Sequence, residues 1–340
     1  MADVEPLPWQ DAVWQRVQDS LRAGKLGHAL LLCGMAGVGK RRFARRLAAS
    51  LLCEARPADG QACGSCRGCK QFAAGTHPNL SWLSREFNDR TDKEKRDISL
   101  EQLREMMESL ALVSHYGQAR VIVIDPADAM NIGGVNAVLK TLEEPPAGCY
   151  LLLITERVMA LAPTLRSRCQ RLQFGLPDTA LARAWLAQQP GQFDADAALA
   201  EAQGAPLAAL EDQQSGLATQ RRAWLEALLA LAQRRIDPLA AAAQVDKDRV
   251  ATWLAVFQRA LQRVLRASGG IDSEPGWRAL AGHLGALQIE RLLAEAVESR
   301  RKLQSNANPQ LLVESLMILW WHLSAPADTR IDHRRTSSSA

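Results

Sequence analysis

The sequence has no apolar run long enough to cross a membrane. Its most apolar stretch, Leu311 to Leu323, is broken by Glu314 and reads as a buried helix. Secretory character is missing too. Met1 to Gln10 holds two acidic residues and two prolines with no apolar stretch, so a leader is not expected. A cytoplasmic location follows as the expectation, and there the seven cysteines need an explanation other than disulfides. Strong charge is lacking as well. Lys and Arg number 41 against 37 Asp and Glu, a formal net charge of +4. That balance permits contact with nucleic acid without demanding it. No internal repeat is present.

What is there is an ordinary globular composition, 47% hydrophobic and 23% charged over 340 residues, enough for two or three domains each with its own core. The first half alternates helical periodicity with short apolar runs. Val13, Val17 and Leu21 share one helix face. The runs are His28 to Cys33, Val121 to Ile124 and Tyr150 to Ile154. Runs without polar alternation suit central parallel strands covered on both faces, and the helical stretches between them make this an α/β doubly wound domain. After about Phe174 such runs stop and the remainder is rich in Ala, Leu and Gln. The expected layout is a core over 1–174, a small helical section over 175–212, a longer helical section over 213–325, and a tail, 326–340, rich in Ser and Arg and expected to be disordered.

The first apolar run ends in Gly34-Met35-Ala36-Gly37-Val38-Gly39-Lys40 and then opens a helix, the layout of a phosphate-binding P-loop. Gly34, Gly37 and Gly39 let backbone N–H groups turn toward phosphate oxygens, the helix N-terminus adds partial positive charge, and Lys40 reaches for the β- and γ-phosphates. The position after the lysine normally carries a Ser or Thr hydroxyl that holds Mg²⁺. Here it is Arg41, which cannot coordinate a cation. Arg42, Arg45 and Arg46 place more positive charge near a helix start, where the dipole disfavours it. An anion at that site would account for the cluster. The second run ends in Asp125, placed to hold Mg²⁺ or its water. Its follower is Pro126, which offers no base to polarise a water. Asp128 lies further on and suits a helix N-cap. The third run ends in Thr155, placed to sense a γ-phosphate. No Arg or Lys stands between Arg183 and Arg221 to close over ATP. Nucleotide binding stays open on these residues; ATP hydrolysis at this chain's own site is not expected.

Cys53, Cys63, Cys66 and Cys69 are spaced C-x9-C-x2-C-x2-C with glycines between them. Four thiolates so placed can wrap one tetrahedral Zn²⁺ as a closed, structural site, and Arg56, Arg67 and Lys70 offset part of its negative charge. An iron–sulfur cluster is the rival occupant. Cys33 and Cys149 read as core residues.

Asn136-Ala137-Val138-Leu139-Lys140-Thr141-Leu142-Glu143-Glu144-Pro145-Pro146 resembles the segment after the second strand motif in bacterial clamp-loader subunits of the AAA+ class. Ser167-Arg168-Cys169 is similar to their SRC motif, and the cysteine module after the P-loop helix is similar to theirs. Asn306-Ala307-Asn308-Pro309-Gln310-Leu311-Leu312, followed by Glu314 and Trp320, resembles the last helix of the delta-prime family. The losses at Arg41 and Pro126 separate the chain from the motor subunit, which keeps an intact loop and the glutamate.

The resemblance implies an AAA+ core with a zinc insertion, then two all-α domains, a lid and a collar. It implies a non-motor subunit of the DNA polymerase III clamp loader, part of a polymerase holoenzyme without an ATPase of its own. The implied partners are the motor subunit (gamma/tau) and the delta subunit, with the sliding clamp and primed DNA met through the complex. Arg168 would then be an arginine finger acting in trans on a neighbour's ATP. The guanidinium, planar and permanently charged, suits that task. Two other readings compete: the ATP-hydrolysing motor subunit itself, opposed by Arg41 and Pro126, and a zinc-dependent nucleic-acid module. The latter calls for a basic, aromatic-rich segment, whereas Phe72 is the only aromatic residue from 53 to 77. Asn308 can cap a helix whose first position is Pro309, and Leu312, Leu316, Leu319 and Leu323 then recur at helical spacing. That stripe fits a core face or a subunit interface equally well.

Overall fold

The computed structural model describes residues 4–88, 93–111, 119–191, 194–270, 275–282, 284–305 and 307–324. Asn306 and the tail 326–340, both named above, lie outside the described residues. The chain divides into two compact units, Met1–Asp212 and Gln213–Ala340.

The first unit opens with helix α1 (Asp11–Arg22), strand β1 (Ala29–Gly34), helix α2 (Lys40–Leu51) and helix α3 (Arg67–Ala73). Strand β2 (Leu80–Leu83) is followed by a short antiparallel pair, β3 (Phe87–Asn88) and β4 (Lys93–Glu94). Then come α4 (Leu100–Ala111), β5 (Arg120–Ile124), α5 (Ile132–Glu143), β6 (Cys149–Thr155), α6 (Pro163–Ser167) and β7 (Gln170–Phe174). Five strands form one parallel sheet in the order β2-β5-β6-β1-β7.

Side chains alternate faces along a strand, and here both faces are packed. Leu30, Leu32, Val121, Val123, Leu152 and Ile154 meet Trp14 of α1 and Phe43 of α2 on one face. Ala29, Leu31, Ile122, Ile124, Leu151 and Leu153 meet α4, α5 and α6 on the other. This double burial explains why β1, β5 and β6 read as unbroken apolar runs. The sheet has two more strands than the three runs announced, and both are edges. Gln170–Phe174 buries only Leu172 and Phe174 while its polar residues face outward, and Leu80–Leu83 fully buries only Leu83. An edge strand with one wet face alternates, and a short alternating segment is a weak signal.

Helices α7 (Thr179–Leu186), α8 (Ala195–Glu201) and α9 (Pro206–Gln214) close this unit. They share a small core of their own, with Ala182, Leu186, Leu199 and Leu210 in it. Asp178 and Asp194 cap the first two of these helices, each accepting from two backbone N–H groups, which fixes where the turns end.

The second unit is helical: α10 (Leu217–Ala232), α11 (Pro238–Ala242), α12 (Val250–Ser268), α13 (Pro275–Ala281), α14 (Ala286–Gln304) and α15 (Pro309–Leu323). Asn308 caps α15 by accepting from the Gln310 N–H, with Pro309 at the first position. Leu312 and Leu316 are buried, and Leu319 and Leu323 pack against the cluster that contains Leu316. Leu316, Leu319 and Leu323 of the stripe therefore serve the unit's own core. Trp224, Trp253, Trp277 and Trp320 are all fully buried there. Trp320 sits edge-on to Phe257 with centroids 5.5 Å apart, and its Nε1 donates to the Leu228 carbonyl at 3.0 Å. Trp320→Ala should cost about 3–5 kcal/mol through the cavity it leaves. Trp320→Phe keeps most of the ring and should cost about 1–3 kcal/mol, from the smaller buried volume and the lost hydrogen bond. Denaturant unfolding followed by circular dichroism separates the two.

Candidate functional site

The phosphate loop leaves β1 at the carboxyl edge of the sheet, between β6 and β7, where α/β sheets bind ligands. Two of its glycines are required by conformation and by space. Gly37 has φ +74°, and a Cβ there would stand 2.5 Å from Ala208 Cβ; Gly39 has φ +95°, and a Cβ there would meet Leu7 and Gln10. The N-terminal segment and α9 hold the loop in this shape. Trp9 Nε1 and Gln10 Nε2 donate to the Val38 carbonyl, Gln10 also to that of Gly39, and the Leu207 N–H donates to the Gly37 carbonyl at 3.0 Å. None of these clamps left a mark in the sequence, because each depends on residues brought together by the fold.

Lys40 is 4% exposed and turns onto the loop itself, its Nζ donating to the carbonyls of Gly34 at 2.9 Å and Met35 at 2.6 Å. Burial pushes its ammonium below the ordinary range, against the opposing pull of Glu156, whose carboxylate lies 4.0 Å away. Arg41 answers Asp125: its Nε donates to Asp125 Oδ2 at 2.5 Å, and the carboxylate is 6% exposed. That hydrogen bond holds the Arg41 guanidinium above its usual range.

Thr155 is completely buried. Its hydroxyl donates to Asp128 Oδ1 at 2.7 Å, while Arg157 Nη2 pairs with Asp128 Oδ2 at 2.6 Å. Asp128 does not cap a helix as expected. It lies inside the short helical turn Ala127–Ala129, whose N-cap is Pro126, and its carboxylate is consumed by Thr155 and Arg157. Proximity to Asp125 was the available clue; the partners are 27 and 29 residues away.

The arginine cluster on α2 is accounted for without an anion. Arg42 lies over the ring of Trp185 at 5.9 Å, Arg45 over Trp82 at 5.2 Å and Arg46 over Trp14 at 3.8 Å. Cation–π contact offsets the unfavourable dipole at the helix start.

Cys53, Cys63, Cys66 and Cys69 converge until all four sulfurs lie within 4.8 Å of one another. Cys53 and Cys66 are 4.0 Å apart, and Cys63 and Cys69 3.9 Å. A tetrahedron with metal–sulfur bonds of about 2.3 Å has an edge of about 3.8 Å, so the four sulfurs need to draw together only slightly to hold one ion. The N–H groups of Cys63, Cys66 and Cys69 donate to the sulfurs of Cys53, Cys63 and Cys66 at 3.3 to 3.4 Å, stabilising thiolate charge. The Ser65 and Cys66 amides bring the Cys63 thiol down to about 6. The module is pinned to the core independently: Ser50 Oγ donates to the Gly60 carbonyl, Arg46 to Gln61 and Arg22 to the Ala58 carbonyl.

Arg168 ends α6, just before β7. Its guanidinium pairs with Glu143 at 2.8 Å and donates to the Thr164 carbonyl at 3.2 Å, with the side chain 40% exposed. Cys33 and Cys149 are buried core residues. No helix among the described residues is long and apolar enough to cross a membrane.

Residues 9–177 match the family model described as "DNA polymerase III, delta subunit", and residues 215–322 match "DNA polymerase III, delta subunit, C terminal". The chain is similar to DNA polymerase III subunit delta' of Pseudomonas aeruginosa, 32% identical over 96% of this chain and 100% of that protein. The Escherichia coli subunit delta' is 32% identical over 94% of this chain and 96% of that protein. DNA polymerase III subunit tau of Bacillus subtilis is 30% identical over 50% of this chain and 28% of that protein. With relatives of one name aligned from end to end, and both family models matched in order, the chain belongs to the delta' family of bacterial DNA polymerase III subunits.

Proposed function

We propose that this chain is the non-motor delta' component of the clamp loader: it helps load the sliding clamp onto primed DNA while hydrolysing no ATP itself. The observation that carries the reading is the Arg41–Asp125 pair, 2.5 Å between the two side chains. The carboxylate placed to hold Mg²⁺ is taken by an arginine standing where the metal-binding hydroxyl would be. Mg²⁺ does not fit these residues. Pro126 supplies no base, and Thr155, the residue placed to sense a γ-phosphate, is spent on Asp128.

Residues 175–212 would be the lid and 213–325 the collar that joins the ring. The four-thiol set would hold Zn²⁺, whose role is to tie the 53–69 loop together; four ligands leave no open position for catalysis. Gly34, Gly37, Gly39 and Lys40 keep the means to bind nucleotide. Arg168, partly exposed on the edge of the core, would serve the ATP of a neighbouring motor subunit. The test is affinity capture of the tagged chain from its native cell at its native level. The motor and delta subunits should come down in fixed ratio; recovery of neither would sink the assignment.

A further inference from the structure

Arg41 stands at the position whose hydroxyl would ligate a divalent cation, and its guanidinium holds Asp125, the carboxylate that would anchor the same cation. One side chain thus removes both protein contacts a metal would use, and it supplies a positive charge where the metal's would be. Its terminal nitrogens meet no other protein acceptor among the described residues, and the side chain is 60% exposed. The amide groups of Gly37, Val38 and Gly39 likewise donate to no protein acceptor among the described residues. Two cations and a curl of free amides therefore meet at the loop, and that set recognises phosphate oxygens. Thr155, buried against Asp128, offers a γ-phosphate no hydroxyl.

We propose that this loop binds the diphosphate of a nucleotide without a divalent cation, Arg41 standing in for the metal, and that it holds ADP and ATP alike. The inference rests on the reading of the first unit as a P-loop core that does not hydrolyse ATP. A nucleotide held this way acts as a fixed filler of the loop.

The experiment is equilibrium binding of fluorescent ADP and ATP to the full chain, in excess EDTA and in millimolar Mg²⁺. Wild-type affinities should agree within about threefold across all four conditions. Lys40→Ala should weaken binding in both buffers by about tenfold or more, the loss of a charged donor to phosphate. Arg41→Ser should weaken it similarly in EDTA and regain most of it in Mg²⁺. Arg41→Ser leaves a buried carboxylate uncompensated, so the double variant Arg41→Ser/Asp125→Asn is measured beside it. That variant should bind weakly in EDTA and regain nothing in Mg²⁺. A wild-type requirement for Mg²⁺, a preference for ATP above tenfold, or no binding in either buffer overturns the inference. Assembly with the motor and delta subunits is assayed on the same samples. Intact assembly without nucleotide binding removes this inference alone, whereas failed assembly removes the functional reading beneath it.

Discussion

In a ring reconstituted with the motor and delta subunits, Arg168→Ala should slow hydrolysis at the neighbouring ATP site by about 10³-fold or more, with assembly unchanged. The size of the effect follows from where charge develops. A guanidinium supplied in trans to the transferring phosphoryl group acts only in the transition state, so its loss falls on the rate rather than on binding. Within this chain Arg168 is held by Glu143 at 2.8 Å, both side chains being 40% and 55% exposed. An ion pair so open to solvent is worth about 0–1 kcal/mol, small beside what a finger contributes. Release onto a neighbour's phosphate is therefore energetically accessible. Glu143→Ala should accordingly leave the rate within severalfold of wild type. Arg166, which donates to Met159 Sδ, and Arg171, on β7, are controls whose alanine variants should hydrolyse normally. Rapid-quench hydrolysis and clamp loading on primed DNA read the outcome. Matching rates for Arg168→Ala and wild type in an intact ring would mean that the Glu143 pair merely braces the loop.

Cys66→Ser should take the chain from about one bound zinc to almost none. Cys66 serves the cluster twice. Its sulfur lies 4.0 Å from Cys53 Sγ, and it caps α3 by accepting from the Cys69 N–H. Serine can still cap the helix but is a poor zinc ligand, so the substitution isolates the metal. Metal binding free energy is folding free energy when the site is absent from the unfolded chain. The penalty should stay below the roughly 10–16 kcal/mol typical of isolated zinc fingers, because Ser50, Arg46 and Arg22 still anchor the loop. A loss of several kcal/mol in the first unit is expected, since removal of a metal is among the few changes that destabilise so strongly. Metal analysis together with thermal unfolding checks both halves. Stoichiometric iron with a visible chromophore in the wild type would contradict the zinc assignment.

The parts of this molecule legible in the sequence are those whose signal is local. β1, β5 and β6 announced themselves because both faces of each are buried. The cysteine module did so because its close spacing brings four thiols together, and α15 because Asn308 and Pro309 mark its start. The edge strands β2 and β7 carried half the signal and were missed. Side-chain partnerships escaped for a different reason. That Arg41 is a poor metal ligand could be read from its chemistry; that it reaches Asp125, 84 residues on, could not. The same holds for Asp128, whose neighbours in sequence suggested a cap while its partners came from the end of β6. The arginines of α2 looked like an anion site in one dimension. In three they lie over Trp14, Trp82 and Trp185, tryptophans from three separate elements.

Whether a subunit inert toward ATP nonetheless governs its neighbours' turnover is decided by one ATPase measurement on three samples: the purified chain alone, the motor and delta subunits without it, and all together with clamp and primed DNA. Background turnover is expected in the first, little stimulation in the second and full stimulation in the third. Turnover by the isolated chain well above background, abolished by Lys40→Ala, would contradict this expectation.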